Sequence, residues 1–335
     1  MKRILFGVLF CLFTMFHSAQ AHANLVSGTV TLGSITAGGT SDQYFSGTSG
    51  QGVYLTIEAG YSAYITVYEP GGTLWTSGLN RFAGNLPATG TFHVVIKGYY
   101  STDSGPYSLY YNIGGGGVSG GTLTSGGSVN ATQPVNGLTS YQFTGTTGEG
   151  AYINANGSSF ASATAYVCVY NPDGTIISAC AYNRFAFNMA QTGTYTVVIL
   201  GYSPSDSGSY NLYYVRGGPG NGVSGGTVTS GLAASGTLPV NGLASFYVAG
   251  VTGAGYQINL KNSFASATAY ICVYNPDGTQ VLTGNACTNN RFVSTMTQTG
   301  NYTVVIEAYS PTDTGSYILV PLSHMLQSIS SMAEK

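Results

Sequence analysis

Catalysis needs nucleophiles, proton carriers or metal ligands, and this chain is poor in all three. Beyond residue 23 the histidines are His93 and His324. Neither recurs in the chain's own repeats: Thr196 and Thr303 stand where His93 does. A Ser-His-Asp triad assembles from distant positions and leaves no spacing signature. Still, no G-x-S-x-G elbow lies in a strand-to-helix context, and no H-E-x-x-H pair or phosphate-cradling loop is present. The expectation is a protein that is not an enzyme, with no catalytic residue and no cofactor. Asp173-Gly174 and Asp277-Gly278 look like fragments of a calcium loop, but such a loop needs further oxygen ligands at fixed offsets. A turn accounts for both pairs, because Pro172 and Pro276 preset φ and the glycines supply positive φ. No metal is expected.

Three sets of side chains remain. Cys168, Cys180, Cys272 and Cys287 are even in number and predict two disulfides, Cys168–Cys180 and Cys272–Cys287. Each pair flanks an Asn-Pro-Asp-Gly turn, and Thr66 and Ser77 replace both members in the first copy. Counting from the turn sets Cys168 opposite Ser178, so the bond requires a bulge or offset. Each bridge closes a short loop, worth on the order of 3 kcal/mol. Arg81, Arg184 and Arg291 precede Asp103, Asp206 and Asp313 by one constant offset. In a chain this poor in charge the offset predicts three internal ion pairs, with a row of ligand clamps as the alternative. Tyr99, Tyr202 and Tyr309 recur beside a loop, with Tyr100 next to the first. They are the candidate ligand surface, and cross-strand packing is the competing reading.

The elements that must position these groups come in three copies. Asn80-Arg81-Phe82, Asn183-Arg184-Phe185 and Asn290-Arg291-Phe292 recur, as do Asp103-Ser104-Gly105, Asp206-Ser207-Gly208 and Asp313-Thr314-Gly315. The period is about one hundred residues, the size of a small domain rather than a solenoid unit. Within each copy, short runs rich in Val, Ile, Thr, Tyr and Phe alternate with Gly, Asn, Asp and Pro turns, the pattern of an antiparallel sandwich. The reading is all-β: three tandem jelly-roll-like antiparallel β-sandwich domains over 24–115, 116–220 and 221–322. Gly114 to Gly117 and Arg216 to Gly222 read as short flexible linkers. The tail, 323–335, carries on from Pro321 and Leu322 with apolar residues at i, i+3, i+4 and i+7, which is the pattern of a short helix, with a frayed terminus as the competing reading.

The successive motifs F-x-G-x-x-G-x-G, Y-x-V-Y-x-P-x-G-T, T-G-x-Y-x-V-V-I and D-S-G-x-Y-x-L resemble the bacterial pre-peptidase C-terminal domain. The likeness spans roughly 40–113, 138–216 and 243–320. It implies a compact jelly-roll-like sandwich of the kind appended to secreted peptidases; related modules in clostridial collagenases bind collagen and calcium. This chain departs from that context. No peptidase domain accompanies the repeats, and no acidic cluster precedes each copy.

Composition sets the remaining bounds. Charged residues make up 6% of the chain and the net charge is -2, so there is no basic stripe for nucleic acid. With 27 Tyr and 14 Phe the chain has ample material for packed cores. Low charge also removes a brake on association. Lys2 and Arg3, an apolar run and Ala21-His22-Ala23 have the layout of a signal peptide over 1–23. No other segment is long and apolar enough to span a membrane. The chain is therefore expected outside the cell or at its surface, as a binding or structural protein for adhesion, matrix or surface assembly. Its expected partners are itself or an extracellular polysaccharide or protein. The alternative is an accessory module serving a separate secreted hydrolase.

Overall fold

The computed structural model describes residues 24–114, 118–157, 159–177, 180–203, 205–218, 220–282 and 287–324. The expected signal peptide, 1–23, and residues 325–335 of the tail lie outside the described residues.

Strand alternation decides the architecture. Repeat 1 runs through β1 (Thr29–Ile35), β2 (Thr40–Gly47), β3 (Gly52–Ala59), β4 (Ala63–Tyr68), β5 (Leu74–Leu79), β6 (Arg81–Asn85), β7 (Gly90–Gly98) and β8 (Gly105–Ile113). These form two antiparallel sheets, in the orders β1-β8-β3-β6 and β2-β7-β4-β5. The first carries Arg81 on its edge and is called here the arginine sheet; the second contains the β4–β5 hairpin and is called the hairpin sheet. In β7, Phe92, Val94 and Ile96 point inward and are buried, whereas His93, Val95 and Lys97 point outward, as a period of two requires. The inward rows of both sheets close one core per sandwich.

Repeats 2 and 3 keep this topology, with a short parallel strand, Thr227–Val228, added at the edge of the hairpin sheet of repeat 3, and each encloses its own core. Among the described residues there is no helix. The chain is thus all-β and built of antiparallel sandwiches, as its periodicity predicts.

Two further apolar clusters lie between the sandwiches. One joins Tyr54 and Tyr110 of repeat 1 to Leu138, Cys168, Tyr170, Val198 and Leu200 of repeat 2. The other joins Tyr152, Tyr213 and Val215 of repeat 2 to Leu243, Cys272, Tyr274 and Val305 of repeat 3. At both joints the arginine sheet of one repeat lies on the hairpin sheet of the next. Burying apolar area in this way contributes about 25 cal/mol per Å2, so the repeats are stacked rather than strung on loose tethers.

At the described linker residues Gly114, Arg216 and Asn221, that stacking corrects the reading of the linkers as flexible. Gly114 donates to Gly52 O (2.8 Å), and its own carbonyl accepts from Gln51 Nε2 (3.3 Å). A Cβ on Gly114 would fall 2.4 Å from Gly174 O. Arg216 and Asn221 are fastened to Glu149 and Gly217. Glycine is needed at such positions for close approach rather than for freedom. The tail reading changes at its start as well. Pro321 to His324 extend the last strand, Gly315–His324, against Gly255–Ile258. Apolar spacing over so few residues fits a strand edge as readily as a helix face.

Candidate functional site

The disulfides form as the cysteine spacing predicts, with Cα–Cα distances of 4.3 Å for Cys168–Cys180 and 4.5 Å for Cys272–Cys287. The expected offset is present, because Tyr170 bridges to Ile176 and Tyr274 to Gln280 at the turn end of each hairpin. Val167 pairs with Ala181 and Ile271 with Thr288, so each cysteine directly faces its partner. The register thus shifts by two residues between Tyr170 and Val167, and by five between Tyr274 and Ile271. Thr66 and Ser77 face each other in the same way in repeat 1. Both disulfides lie on the outer face of a hairpin sheet, and each receives a tyrosine from the preceding repeat: Tyr54 Oη lies 3.0 Å from Cys168 Sγ, and Tyr152 Oη 3.6 Å from Cys287 Sγ. Burial pushes the Tyr54 phenol up to about 12. Disulfides of this kind belong to proteins that fold in oxidising compartments.

The predicted ion pairs Arg81–Asp103, Arg184–Asp206 and Arg291–Asp313 do not form. Asp103 and Asp206 instead cap the loops that contain them, while Asp206 and Asp313 accept from the neighbouring loop at Ser162 and Ser266. Asp103 Oδ2 accepts from Tyr100 N (2.8 Å), and Asp206 accepts from Ser203 N (2.8 Å) and Ser162 N (2.9 Å). Asp313 accepts from Ser266 N (3.3 Å). The arginines point the other way, out of their own sandwich. Arg81 Nη1 donates to Gly201 O (3.1 Å) of repeat 2, and Arg184 Nη1 to Tyr309 O (3.1 Å) of repeat 3. Arg291, in the third repeat, is exposed. The constant offset reflects two separate columns that happen to share one period. The asparagine of each Asn-Arg-Phe triplet has its own local role: Asn80, Asn183 and Asn290 take φ of 57°, 60° and 56°, and each side chain accepts from the backbone N of Ala63, Ala165 or Ala269 at 2.8 Å.

The joint between repeats 2 and 3 also holds a buried carboxylate. Glu307 accepts from Asn154 Nδ2 (2.8 Å) and Tyr152 Oη (3.0 Å), with Arg184 Nε at 3.6 Å. Burial raises its pKa above the ordinary carboxylate range even though Arg184, Asn154 and Tyr152 pull the other way. Asn241 crosses the joint, accepting from Arg184 Nε (2.9 Å) and donating to Ala155 O (2.7 Å). The incoming turns complete both contacts: Gly52 N donates to Gly174 O (3.1 Å) and Gly150 N to Gly278 O (2.8 Å). Gly52 leaves room for the Tyr170 ring, which would stand 2.0 Å from a Cβ placed there.

The tyrosine row stays on the surface. Tyr99, Tyr100, Tyr202 and Tyr309 are all exposed. Tyr202 clusters with Tyr166 and Tyr182, ring centroids 5.4 and 5.6 Å away, and Tyr309 lies 5.3 Å from Tyr270. Tyr99 meets Tyr100 edge-on at 4.8 Å. Tyr202 and Tyr309 therefore rim the two joints, whereas Tyr99 and Tyr100 rim the open end of repeat 1.

The groups weighed for chemistry are engaged structurally. His93 Nε2 lies 2.7 Å from Asp42 Oδ1, and its ring stacks on Tyr44 at 4.7 Å. Among the described residues no Ser, Thr or Cys side chain is hydrogen-bonded to it. The side chain of His324 lies outside the described residues. Asp173 Oδ1 accepts from Thr175 N (2.9 Å) and Oγ1 (2.7 Å), and Oδ2 accepts from Gln191 Nε2 (2.6 Å); the Thr175 bond leads in lowering its pKa. Asp277 has the same arrangement with Thr279 and Gln298.

Sequence reasoning missed the joint residues Tyr54, Tyr152, Glu307 and Asn241. A signal for the joints was present. Pro134-Val135-Asn136-Gly137-Leu138 and Pro239-Val240-Asn241-Gly242-Leu243 occur only in the two repeats that also carry disulfides, which are the two that receive a preceding repeat.

No family model matches the chain, and no curated protein sequence matches it. Solved structures match in part. A periplasmic inhibitor of g-type lysozyme, PliG from Aeromonas hydrophila, is 19% identical at a TM-score of 0.25, covering 28% of this chain and 96% of its own. Tripeptidyl peptidase 2 is 8% identical at a TM-score of 0.22, covering 88% of this chain and 34% of its own. Lac15 from a marine microbial metagenome is 10% identical at a TM-score of 0.17, covering 91% of this chain and 88% of its own. Scores this low carry no argument about function.

Proposed function

We propose that this is a secreted, non-catalytic extracellular protein, a binding or structural component for adhesion, matrix or surface assembly, built from three pre-peptidase C-terminal-like sandwiches. The observation that carries this reading is the pair of joints. Both disulfides, two of the three matched arginines and the Glu149 and Glu307 carboxylates lie at the joints where one sandwich stacks on the next. A serial stack with exposed tyrosine clusters suits reach and contact rather than turnover. The exposed Tyr99–Tyr100 pair and the exposed Tyr182 and Tyr202, which adjoin half-buried Tyr166, favour the second reading, an accessory module that binds polysaccharide or protein for a separate hydrolase. Protein from culture supernatant is to be sized, viewed by negative-stain microscopy and offered insoluble polysaccharides and collagen. Assemblies support the structural role; retention on one substrate, lost in Tyr202→Ala or Tyr99→Ala, supports the accessory role. Hydrolysis of any substrate offered overturns both.

A further inference from the structure

Each internal joint uses one arginine sheet and one hairpin sheet. Among the described residues, the three repeats therefore leave one of each uncovered: the arginine sheet of repeat 3 and the hairpin sheet of repeat 1. The first retains much of what a joint uses. Arg291 occupies the position of Arg81 and Arg184, yet it donates only within its own sheet, to Gln257 Oε1 (3.2 Å), and Gln257 donates to Asn259 (2.8 Å). Asn259 is the counterpart of Asn154, which binds Glu307. Val293 and Leu322 flank Gln257, and Val320 flanks Asn259. Those are the rows in which the joint between repeats 2 and 3 covers Ala186, Val215 and Tyr213. Here Val293 is 60% and the neighbouring Ile318 42% exposed, with Val320 and Leu322 half-buried. A cleft of about 380 Å3 opens beside Ala254, in the place of Gln51 and Glu149, against which the incoming turns rest at the internal joints.

The open hairpin sheet of repeat 1 retains the matching half. Tyr64 and Tyr68 stand where Tyr166 and Tyr170 do, and Val95 stands where Val198 and Val305 are buried. Gly98 and Tyr99 stand where Gly201 and Tyr202 offer their carbonyls to Arg81.

We propose that the occupant of each open face is a second copy of this chain, so that repeat 3 of one molecule stacks on repeat 1 of the next through the joint already used twice. A heterologous contact of this kind generates an open filament unless its rotation closes a ring. The proposal rests on the reading of the chain as an assembly component. The joint between chains is weaker than the internal ones. Repeat 1 lacks the disulfide and the Pro-Val-Asn-Gly corner, and Gln257 replaces the anchoring tyrosine. Lys97 stands where Glu307 does and faces Arg291. Two like charges repel, and salt screens them, so association is reversible and strengthens as salt is added.

Sedimentation of the full secreted chain over a wide concentration series tests this. Wild type is expected to form linear oligomers as concentration rises. Lys97→Glu, which restores the Glu307 arrangement opposite Arg291 and Asn259, shifts the transition to about tenfold lower concentration. Val95→Arg blocks one end and Val320→Arg the other, so each alone stays monomeric, with a thermal midpoint close to wild type. Mixed in equal amounts they form dimers and nothing larger, because each retains the end the other has lost. Wild type and Lys97→Glu that are monomeric throughout, or blocked variants that still polymerise alone, overturn the proposal. So does loss of association on deleting residues 325–335 alone, which would make the tail the contact. A chain that stays monomeric yet binds collagen or polysaccharide sinks this proposal and leaves the broader function standing.

Discussion

The two joints solve one packing problem with different chemistry. Between repeats 1 and 2 the centre is apolar, with Leu200 at the position taken by Glu307 in repeat 3. Arg81 reaches only main-chain carbonyls there, and its Nε and Nη2 have no partner among the described residues. Burial lowers the pKa of Arg81. Between repeats 2 and 3 the same arginine position meets a carboxylate, an asparagine and a carbonyl. The comparison teaches that the arginine column is conditional. It becomes an ion pair only where the receiving strand supplies an acid, and otherwise it is a charge that tethers two backbones.

The largest expected difference comes from removing the arginine. Arg184→Met leaves Glu307 buried without its counter-charge, and loss of a partner from a buried pair costs about 3–5 kcal/mol. Arg81→Met removes hydrogen bonds to neutral carbonyls and costs about 1 kcal/mol. Denaturant unfolding of both variants checks the ordering, and equal losses would mean that the two joints are energetically alike. Next, replacing Cys272 and Cys287 together by serine is expected to cost about 3 kcal/mol, as is replacing Cys168 and Cys180. The double serine change should also loosen the adjoining joint, which limited proteolysis near Gly217 reads.

A smaller effect separates the joints by pH. The Glu307 carboxyl has a raised pKa, so the folded chain holds this proton more tightly than the unfolded chain does. The stabilisation linked to that proton is fully present below the ordinary carboxylate range and is lost as pH rises through the folded value. Subtracting the Glu307→Gln stability curve from wild type should leave a difference that declines with rising pH over that window. A flat or rising difference contradicts the assignment. The smallest effect concerns the loop caps. Asp206 is 1% exposed beside a joint, and Asp206→Ala should cost about 2 kcal/mol. Asp103 caps the equivalent loop at the open end, and Asp103→Ala should cost less than about 1 kcal/mol.

Much of this architecture could be read from local patterns. The hairpin at Asn171 to Gly174, the strand faces of Gly90–Gly98 and the pairing of Cys168 with Cys180 all follow from alternation and turn chemistry within a few residues. Those signals are short-range, and each copy repeats them. What failed were readings that assumed each repeat was self-contained. A constant offset pairs Arg81 with Asp103 in its own copy, and composition alone makes Gly114 slack in the chain.

The sequence by itself therefore determined the number of sandwiches, their strand faces, their turns and the disulfide partners, because side-chain period, glycine φ and hairpin geometry act over short spans of chain. Only the tertiary structure decided where Arg81 and Arg184 point, why Gly52 and Gly114 have no side chain, and that Glu307 is buried. Each of those depends on which face of one sandwich lies against the next, and that contact is a relation between surfaces about one hundred residues apart that no local periodicity encodes.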